Sequence, residues 1–229
     1  MEAKETIKKI AVVSIFVFLI TWTVPAAAAK ELEIQGKQLV SRKPPFTLAL
    51  PSQLQLMYSS AMENQRENSI TRVYVFVKEK NKQVEEMLIV QIADKTNPQA
   101  TAITAPPLRP YTDKRLYQKD RIRKGGLIVD RLVQLMAWNP DAPSLQPIVE
   151  KGITIPSHWA LQGQLLFIYQ GEHAVFIKYS KDVNSFGSKV SEEKKDWEKE
   201  LISGNEKKTC ETFQKMFSAV IDSINLKNP

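Results

Sequence analysis

The strongest hydrophobic pattern in the chain consists of two apolar runs on either side of a glycine. Residues 164–169 and 174–179 predict two β-strands, joined by a tight turn at Gly171-Glu172, because glycine tolerates the positive φ of a two-residue hairpin loop. This turn would pair Phe167 with Phe176. Side chains alternate across a strand, yet both runs are apolar on both sides. We therefore predict a central hairpin in a sheet that is covered above and below.

Three other segments also have the composition of strands. Residues 70–78 and 84–93 are rich in valine, isoleucine, tyrosine and phenylalanine and predict a second hairpin. Residues 127–138 fit both a strand and a helix; their β-branched residues and the preceding Gly125-Gly126 favour a strand. The sequence thus predicts an antiparallel sheet built from hairpins.

The segment before these hairpins is less regular. Residues 31–45 lack a sustained period and are interpreted as an extended lead-in. Residues 46–50 and 54–58 are short apolar runs around Pro51 and predict a first strand pair. Residues 59–69 are polar and predict a loop.

Helical patterns follow the central hairpin. Residues 192–202 are charged and predict a helix that ends before Gly204. Residues 206–226 place apolar side chains at steps of three and four, which gives one broad stripe on a helix of about five turns. The stripe contains Cys210, Phe213, Phe217, Val220 and Ile224. We expect this helix to pack on the sheet.

Two short motifs frame the predicted domain, F-x-L-x-L-P from Phe46 to Pro51 and F-x-x-x-I-x-S-I from Phe217 to Ile224. With the order of elements, they resemble the Mog1/PsbP-type family, whose members include extrinsic photosystem subunits, nuclear-transport cofactors and exported proteins. The resemblance implies an α+β fold in which helices, including the long C-terminal amphipathic one, cover an antiparallel sheet as an α/β/α sandwich. The tryptophan that often follows the opening motif is absent here, and no catalytic residue is transferred.

The first 29 residues have the features of a secretory signal peptide. A charged start precedes a short apolar run, and Ala27, Ala28 and Ala29 offer a small-residue cleavage site before Lys30. An uncleaved membrane anchor is the alternative, because the run and its alanines approach the roughly 20 residues that span a bilayer. We expect an exported chain, periplasmic or extracellular, with a lead-in at residues 30–45 and a single domain at residues 46–229.

The composition indicates a globular domain without internal cross-links. Hydrophobic residues make up 43% and charged residues 25% of the chain, which are ordinary globular values. Cys210 is the single cysteine, so no internal disulfide exists. We expect its side chain to be buried, with intermolecular pairing as the alternative.

The sequence contains no motif of a known catalytic or cofactor site, and we predict no cofactor and no metal site. Its two histidines are His158 and His173. His173 falls at the hairpin turn, where an exposed structural residue is expected. His158, beside Ser157 and Trp159, is the better candidate for a general base, although adjacency in sequence does not place a hydroxyl on the imidazole. The pair Glu85-Glu86 is interpreted as solvated.

Basic residues concentrate in one segment, residues 109–124. It holds seven basic and two acidic residues, a net charge of +5 in a chain of +7. The candidate anion-binding residues are Arg109, Lys114, Arg115, Tyr117, Lys119, Arg121, Arg123 and Lys124. Arginine can stack on tyrosine rings while it binds phosphate or carboxylate. A solvated loop is the alternative interpretation.

These features predict an exported, non-enzymatic binding or accessory protein. The partner is expected to be anionic: a lipid head group, an acidic glycan or an acidic protein face. Nucleic acid is not expected for an exported chain. The first alternative is a small hydrolase or isomerase that uses His158 as general base under the proline-rich connection at residues 95–110. The second is a subunit of an envelope complex that binds a protein through an apolar sheet face.

Overall fold

The computed structural model describes residues 31–51, 53–109, 117–157, 159–187 and 204–227, without the side chains of Tyr117 and Pro143. The predicted signal peptide and the predicted helix at residues 192–202 lie outside these ranges. The described strands are β1 (Leu32–Gln35), β2 (Gln38–Arg42), β3 (Pro45–Ala49), β4 (Gln55–Asn64), β5 (Ser69–Lys80), β6 (Gln83–Lys95), β7 (Tyr117–Lys124), β8 (Leu127–Ala137), β9 (Trp159–Tyr169), β10 (His173–Asp182) and β11 (Asn225–Leu226). The helices are α1 (Gln146–Val149) and α2 (Asn205–Ser223).

Seven strands form the large sheet in the order β4-β5-β6-β10-β9-β8-β7, with every neighbouring pair antiparallel. The predicted hairpin at residues 70–93 is confirmed as β5 and β6, and residues 127–138 form the strand β8 as expected. The predicted polar loop at residues 59–69 is wrong, because β4 continues to Asn64 as an edge strand; most of its exposed side chains are polar, although Leu56 and Met62 are apolar. Polarity there reflects solvent at the sheet edge.

The central hairpin is present as β9 and β10, but its predicted register is wrong by one residue. Phe167 pairs with Val175, and Phe176 pairs with Leu166. The loop has three residues, because Gln170 and Gly171 both take positive φ and the Glu172 N–H donates to the Tyr169 carbonyl. This shift sends Phe167 and Phe176 to opposite faces of the sheet.

One face of the large sheet, called here the helix face, packs against α2 and a second sheet. That second sheet has the order β1-β2-β3-β11. The apolar stripe of α2 is confirmed, with Phe213, Phe217 and Val220 buried in the same cluster as Leu165 and Ile177 of the large sheet. The helix ends at Ser223, and the chain then pairs with β3 as β11.

The predicted α/β/α sandwich is wrong. In the described ranges α2 is the one helix longer than a single turn, and the fold is mostly antiparallel strands in two sheets. The predicted lead-in at residues 31–45 contributes β1 and β2, and residues 46–50 pair with β2 and β11 instead of with residues 54–58. The short alternation of buried Leu39 and Ser41 with exposed neighbours is the strand period that the sequence interpretation missed.

The opposite side of the large sheet, called here the connection face, is covered by two segments with little regular structure. Residues 138–155, which include α1, bury Trp138, Leu145 and Ile148 against Val75 and Val77. The other cover is the proline-rich stretch of residues 96–109, called here the connection, which runs from β6 toward the far edge strand β7. Prolines exclude a helix from this stretch. The sheet is thus covered on both faces, though without a helix layer on the second.

Candidate functional site

The basic segment forms the edge strand β7 over its second half instead of a loop. Among the described strands, β7 pairs with β8 alone and is the last strand of the large sheet. Pairing with Ile128, Asp130 and Leu132 places Arg123, Arg121 and Lys119 on the connection face. Ile128 is 55% exposed beside Arg123, whereas Leu132 is fully buried.

Several of the predicted anion-binding residues have partners within the protein. Lys119 Nζ donates to the Leu108 carbonyl at 2.6 Å, and Lys124 Nζ donates to the Asp222 carbonyl at 3.2 Å. Arg121 Nε lies 2.7 Å from a carboxylate oxygen of Asp130. The charge count of the sequence therefore overstates the charge that is available to a partner.

Two of the candidate arginines remain available. Arg109 and Arg123 are exposed, and neither forms an ion pair with a described residue. Lys114, Arg115 and His158 lie outside the described residues. Tyr117 begins β7, and its side chain is not described.

On the helix face, the acidic residue of β7 is neutralised by its neighbour on β8. Arg131 Nε donates to one oxygen of Asp120 at 2.7 Å, and a second nitrogen contacts the other oxygen. The hydrogen bond from Arg131 holds the pKa of the Asp120 carboxyl below its usual value, against the opposing effect of partial burial. Asp120 therefore stays ionised. Its negative charge is balanced by Arg131 and does not neutralise the basic side chains on the connection face.

A cavity of about 960 Å³ lies between the connection and the connection face. Residues 99–109 form its roof, residues 66–68 form one side, and β-strand residues form its floor. The floor includes Gln91, Ala93, Gln164, Leu166, Ala174 and Phe176. Arg109 also lines this cavity, which therefore adjoins the basic edge strand.

The connection is held in place near its middle and near its C-terminal end. The Ile103 N–H donates to the Gly171 carbonyl at the hairpin tip, at 2.8 Å. Further along, the Leu108 side chain is buried and its carbonyl accepts from Lys119. The long loop that the prolines predict is therefore tied to the sheet through its own backbone.

The floor of the cavity continues into a row of buried amides. Gln164 Nε2 donates to Gln162 Oε1 at 2.5 Å, and Gln134 Nε2 donates to the same oxygen at 3.2 Å. Gln162 Nε2 then donates to Ser180 Oγ at 3.0 Å. These hydrogen bonds satisfy the side-chain amides, whose burial without partners would reduce the stability of the fold.

The predicted exposed role of His173 is wrong. The side chain is 14% exposed, and its Nδ1 lies 2.6 Å from Asp94 Oδ1. Arg72, whose side chain is 3% exposed, contacts both Asp94 and Glu31. This group lines a second cavity of about 570 Å³ on the helix face. The sequence contained one signal for it, since His173 shares its side of β10 with the buried Val175.

A positioned histidine does not by itself make an active site. No serine, threonine or cysteine of the described residues is hydrogen-bonded to His173, so nucleophilic catalysis of the usual type has no hydroxyl or thiol here. The imidazole and Asp94 instead link the hairpin tip to Arg72 and, through Glu31, to the second sheet. We interpret the group as structural.

The interpretation of Glu85-Glu86 as solvated is also wrong. Glu86 is 5% exposed, and its carboxylate accepts from Lys181 at 2.5 Å and from the Tyr179 hydroxyl at 2.7 Å. Burial alone would raise the pKa of Glu85, but hydrogen bonds and charge from Lys78 and Lys181 outweigh it, so the pKa is lowered. Both carboxylates belong to a buried ion-pair network.

Comparison with known proteins assigns no relative, since no family model, no curated protein and no solved structure matches the chain. The resemblance to the Mog1/PsbP-type family stays a prediction. Within the described ranges, no group of three or more histidine, cysteine, aspartate or glutamate side chains could hold a metal ion. None of the helices in those ranges is long and apolar enough to cross a membrane.

Proposed function

We propose that this chain is an exported, non-enzymatic binding protein that contacts an anionic lipid surface through Arg109 and the exposed side of the edge strand β7. The observation that carries this proposal is the pairing of the exposed Arg123 with the exposed Ile128 at that edge. A basic side chain beside an apolar one matches the head-group region of a bilayer, where anionic groups border the first acyl carbons.

The basic side chains of β7 form a row along the sheet edge. Lys119, Arg121 and Arg123 are two residues apart, which spaces them by about 7 Å along one side of the strand. Arg109 belongs to the connection. The carbonyl of the residue before it, Leu108, accepts a hydrogen bond from Lys119. The free guanidinium groups of Arg109 and Arg123 are therefore the groups that we expect to bind phosphate oxygens.

Ile128 favours lipid over the other anionic partners. An acidic glycan offers little apolar surface to a side chain that is 55% exposed, whereas a bilayer offers acyl carbons. A protein partner that covers an apolar sheet face is not supported, because both faces of the large sheet are covered. In the part of the chain that the structure describes, the large apolar side chains that remain exposed are dispersed over β1, β4, β8 and α1: Ile34, Leu56, Met62, Ile128 and Val149.

The test is co-sedimentation with vesicles that contain phosphatidylglycerol, compared with vesicles of phosphatidylcholine alone. The variant Arg109→Gln/Arg123→Gln removes the two free charges, and Lys207→Gln/Lys208→Gln removes two exposed charges from α2 as the matched control. Each basic residue near an anionic surface contributes about 1 kcal/mol. The first variant should therefore bind roughly 30-fold more weakly, and the control should bind almost as wild type.

Salt and the N-terminal segment provide the further controls. Binding should weaken as ionic strength rises, since the Debye length falls to about 8 Å at physiological salt. Every variant keeps the same first 29 residues, so differences between variants report the strand and not the apolar segment. Equal losses in the two double variants would mean that net charge alone drives binding. Binding to an acidic glycan but not to anionic vesicles would replace the lipid proposal.

A further inference from the structure

We infer that the cavity beneath the connection is a cleft that binds a short, neutral oligosaccharide, with the Phe176 ring as the surface against which a sugar lies and Gln91 as its hydrogen-bonding partner. The inference does not depend on the lipid contact proposed above, with which the cleft shares Arg109 alone. Its support comes from the uncharged polar lining, from the position of the ring beside a shallow floor, and from the pairing of the floor strands.

The cavity has the size of a ligand site and is partly open to solvent. Its volume of about 960 Å³ falls within the roughly 300–1,000 Å³ of small-molecule sites. Thr101, Thr104 and Pro106 of its roof are exposed, so a bound ligand remains in contact with water. A ligand with hydroxyl groups on its outer side suits such a cleft better than an acyl chain, which binds by leaving water.

The polar side chains of the lining are mostly uncharged. Amides and hydroxyls belong to the floor and to the roof alike: Gln91, Gln164, Gln99, Thr101 and Thr104. The charged members of the lining, Arg66, Glu67 and Arg109, are all exposed, and two of them are neighbours of opposite sign. Amides and hydroxyls both donate and accept hydrogen bonds, as the hydroxyl groups of a sugar do. The lining therefore suits a neutral ligand with many hydroxyl groups.

Phe176 presents one face of its ring to the cleft. The Nζ of Lys178 lies 4.7 Å from the ring centroid, but Lys178 is not part of the cavity lining. Ala174, two residues before Phe176 on the same side of β10, does line the cavity. The ring face that points away from Lys178 is therefore directed over Ala174. The face of an aromatic ring is negative, so it attracts the partly positive C–H groups of a pyranose ring.

A shallow floor lies beside this ring. Ala174 pairs with Ala93 of β6, and Phe176 pairs with Gln91 of the same strand. Two paired alanines leave two neighbouring strands, about 5 Å apart, without bulky side chains, which gives one sugar ring room against Phe176. The Gln91 side chain forms no hydrogen bond with a described residue, so its amide is free to bind sugar hydroxyls.

The surrounding strands favour a sugar over a peptide or a phosphate. A peptide that binds in an extended form pairs with the edge of a sheet. β6, β10 and β9 are each paired on both sides, so the floor offers no such edge. Pro106 and Pro107 lack a backbone N–H, which removes two donors from the roof. A phosphate would need cations, and the described floor contains no lysine or arginine.

Isothermal titration calorimetry on the wild-type chain tests the inference with three neutral tetrasaccharides, namely cellotetraose, maltotetraose and chitotetraose. At least one of them should bind with a Kd below about 1 mM. It should also bind more tightly than tetragalacturonate, an acidic tetrasaccharide, and more tightly than the peptide tetra-alanine. Absence of binding by all three neutral sugars would overturn the inference, as would equal or tighter binding of tetragalacturonate or tetra-alanine.

Two substitutions in the floor test the assigned residues. Phe176→Leu keeps apolar bulk but removes the ring, and it should weaken the tightest of the three sugars about fivefold. Gln91→Leu removes the amide and should have a similar effect, because one hydrogen bond contributes about that much. Gln38→Leu, the same change at an exposed position of β2, is the matched control and should bind as wild type. Wild-type affinity in both floor variants would overturn the inference.

A third substitution tests the space beside the ring. Ala174→Leu fills the shallow floor and should abolish sugar binding. An Ala174→Leu protein that melts as wild type and still binds the sugar would place the sugar elsewhere and overturn the inference. The wild-type comparison needs no variant, so it decides even where a variant folds poorly. Arg123→Gln should weaken vesicle binding and leave sugar binding unchanged, so the two proposals can fail separately.

Discussion

The contact between α2 and the large sheet depends on a single glycine. A Cβ atom at Gly163 would lie 2.5 Å from three ring carbons of Phe217. Phe217 is 1% exposed and stacks on Phe213 at 6.3 Å, and Phe213 stacks on Tyr179 at 5.8 Å. The ring therefore has no free direction in which to move. Gly163→Ala should force the helix or the strand to shift.

The expected loss is that of overpacking a close-packed core, about 1–3 kcal/mol and occasionally more. For a domain of this size each kcal/mol lowers Tm by roughly 2–4 °C. Urea unfolding followed by tryptophan fluorescence measures the free energy of unfolding directly, and its slope reports whether the transition remains two-state. The four tryptophans of the chain provide the signal.

A double-mutant cycle separates the steric clash from other effects of alanine at this position. Phe217→Ala alone should cost about 3–5 kcal/mol, because it leaves a cavity over Gly163. In that background Gly163→Ala should be neutral or stabilising, since the added methyl enters the vacated space. Coupling between touching residues typically reaches 0.5–3 kcal/mol, roughly the loss expected here. An equal cost of Gly163→Ala in both backgrounds would refute the proposed contact.

Three further outcomes follow from the buried and charged groups. Glu86→Ala should lower the free energy of unfolding by about 3–5 kcal/mol in urea, because it leaves Lys181 buried with a weaker partner. Burial raises the pKa of the Cys210 thiol to about 11, so at pH 8 a thiol reagent should modify it roughly 200-fold more slowly than a free cysteine of pKa about 8.5. The lowered pKa of Asp120 means that its bond to Arg131 stabilises the fold above the unfolded pKa. The Tm difference between wild type and Asp120→Asn should therefore shrink as the pH falls below about 4.

Local patterns predicted the long hairpins and the last helix because each has a strong signal of its own. β5 and β6 combine β-branched residues with a two-residue turn in which Asn81 and Lys82 take positive φ. α2 has a stripe of apolar residues that no strand would produce. In both cases the residues that decide the structure are neighbours in sequence, and for that reason periodicity was sufficient.

The errors have one physical cause, which is that tertiary partners decide marginal segments. β1 and β2 are short and half exposed, and they are stable because β3 and α2 pack beside them. The register of the central hairpin depends on the positive φ of Gln170, a residue type that gives no such signal. Likewise, the cavity needs the connection to cross the sheet, and no pattern within residues 95–110 specifies that path.

The candidate site was predicted by charge but not by geometry. Residues 109–124 are the most basic segment of the sequence, but charge alone does not show the strand period that separates Lys119, Arg121 and Arg123 from Asp120 and Lys124.

Charge on an edge strand has a second explanation, because basic side chains prevent one sheet edge from pairing with another. That explanation accounts well for Arg121 and Lys119, whose bonds to Asp130 and Leu108 hold them against the sheet. It accounts poorly for Ile128, since an exposed isoleucine beside the edge would favour association. Protection of the edge requires charged side chains without apolar ones beside them, whereas contact with a lipid surface requires both together. The exposed residues Arg123 and Ile128 combine a basic and an apolar side chain, and for this reason the proposed contact is centred on them.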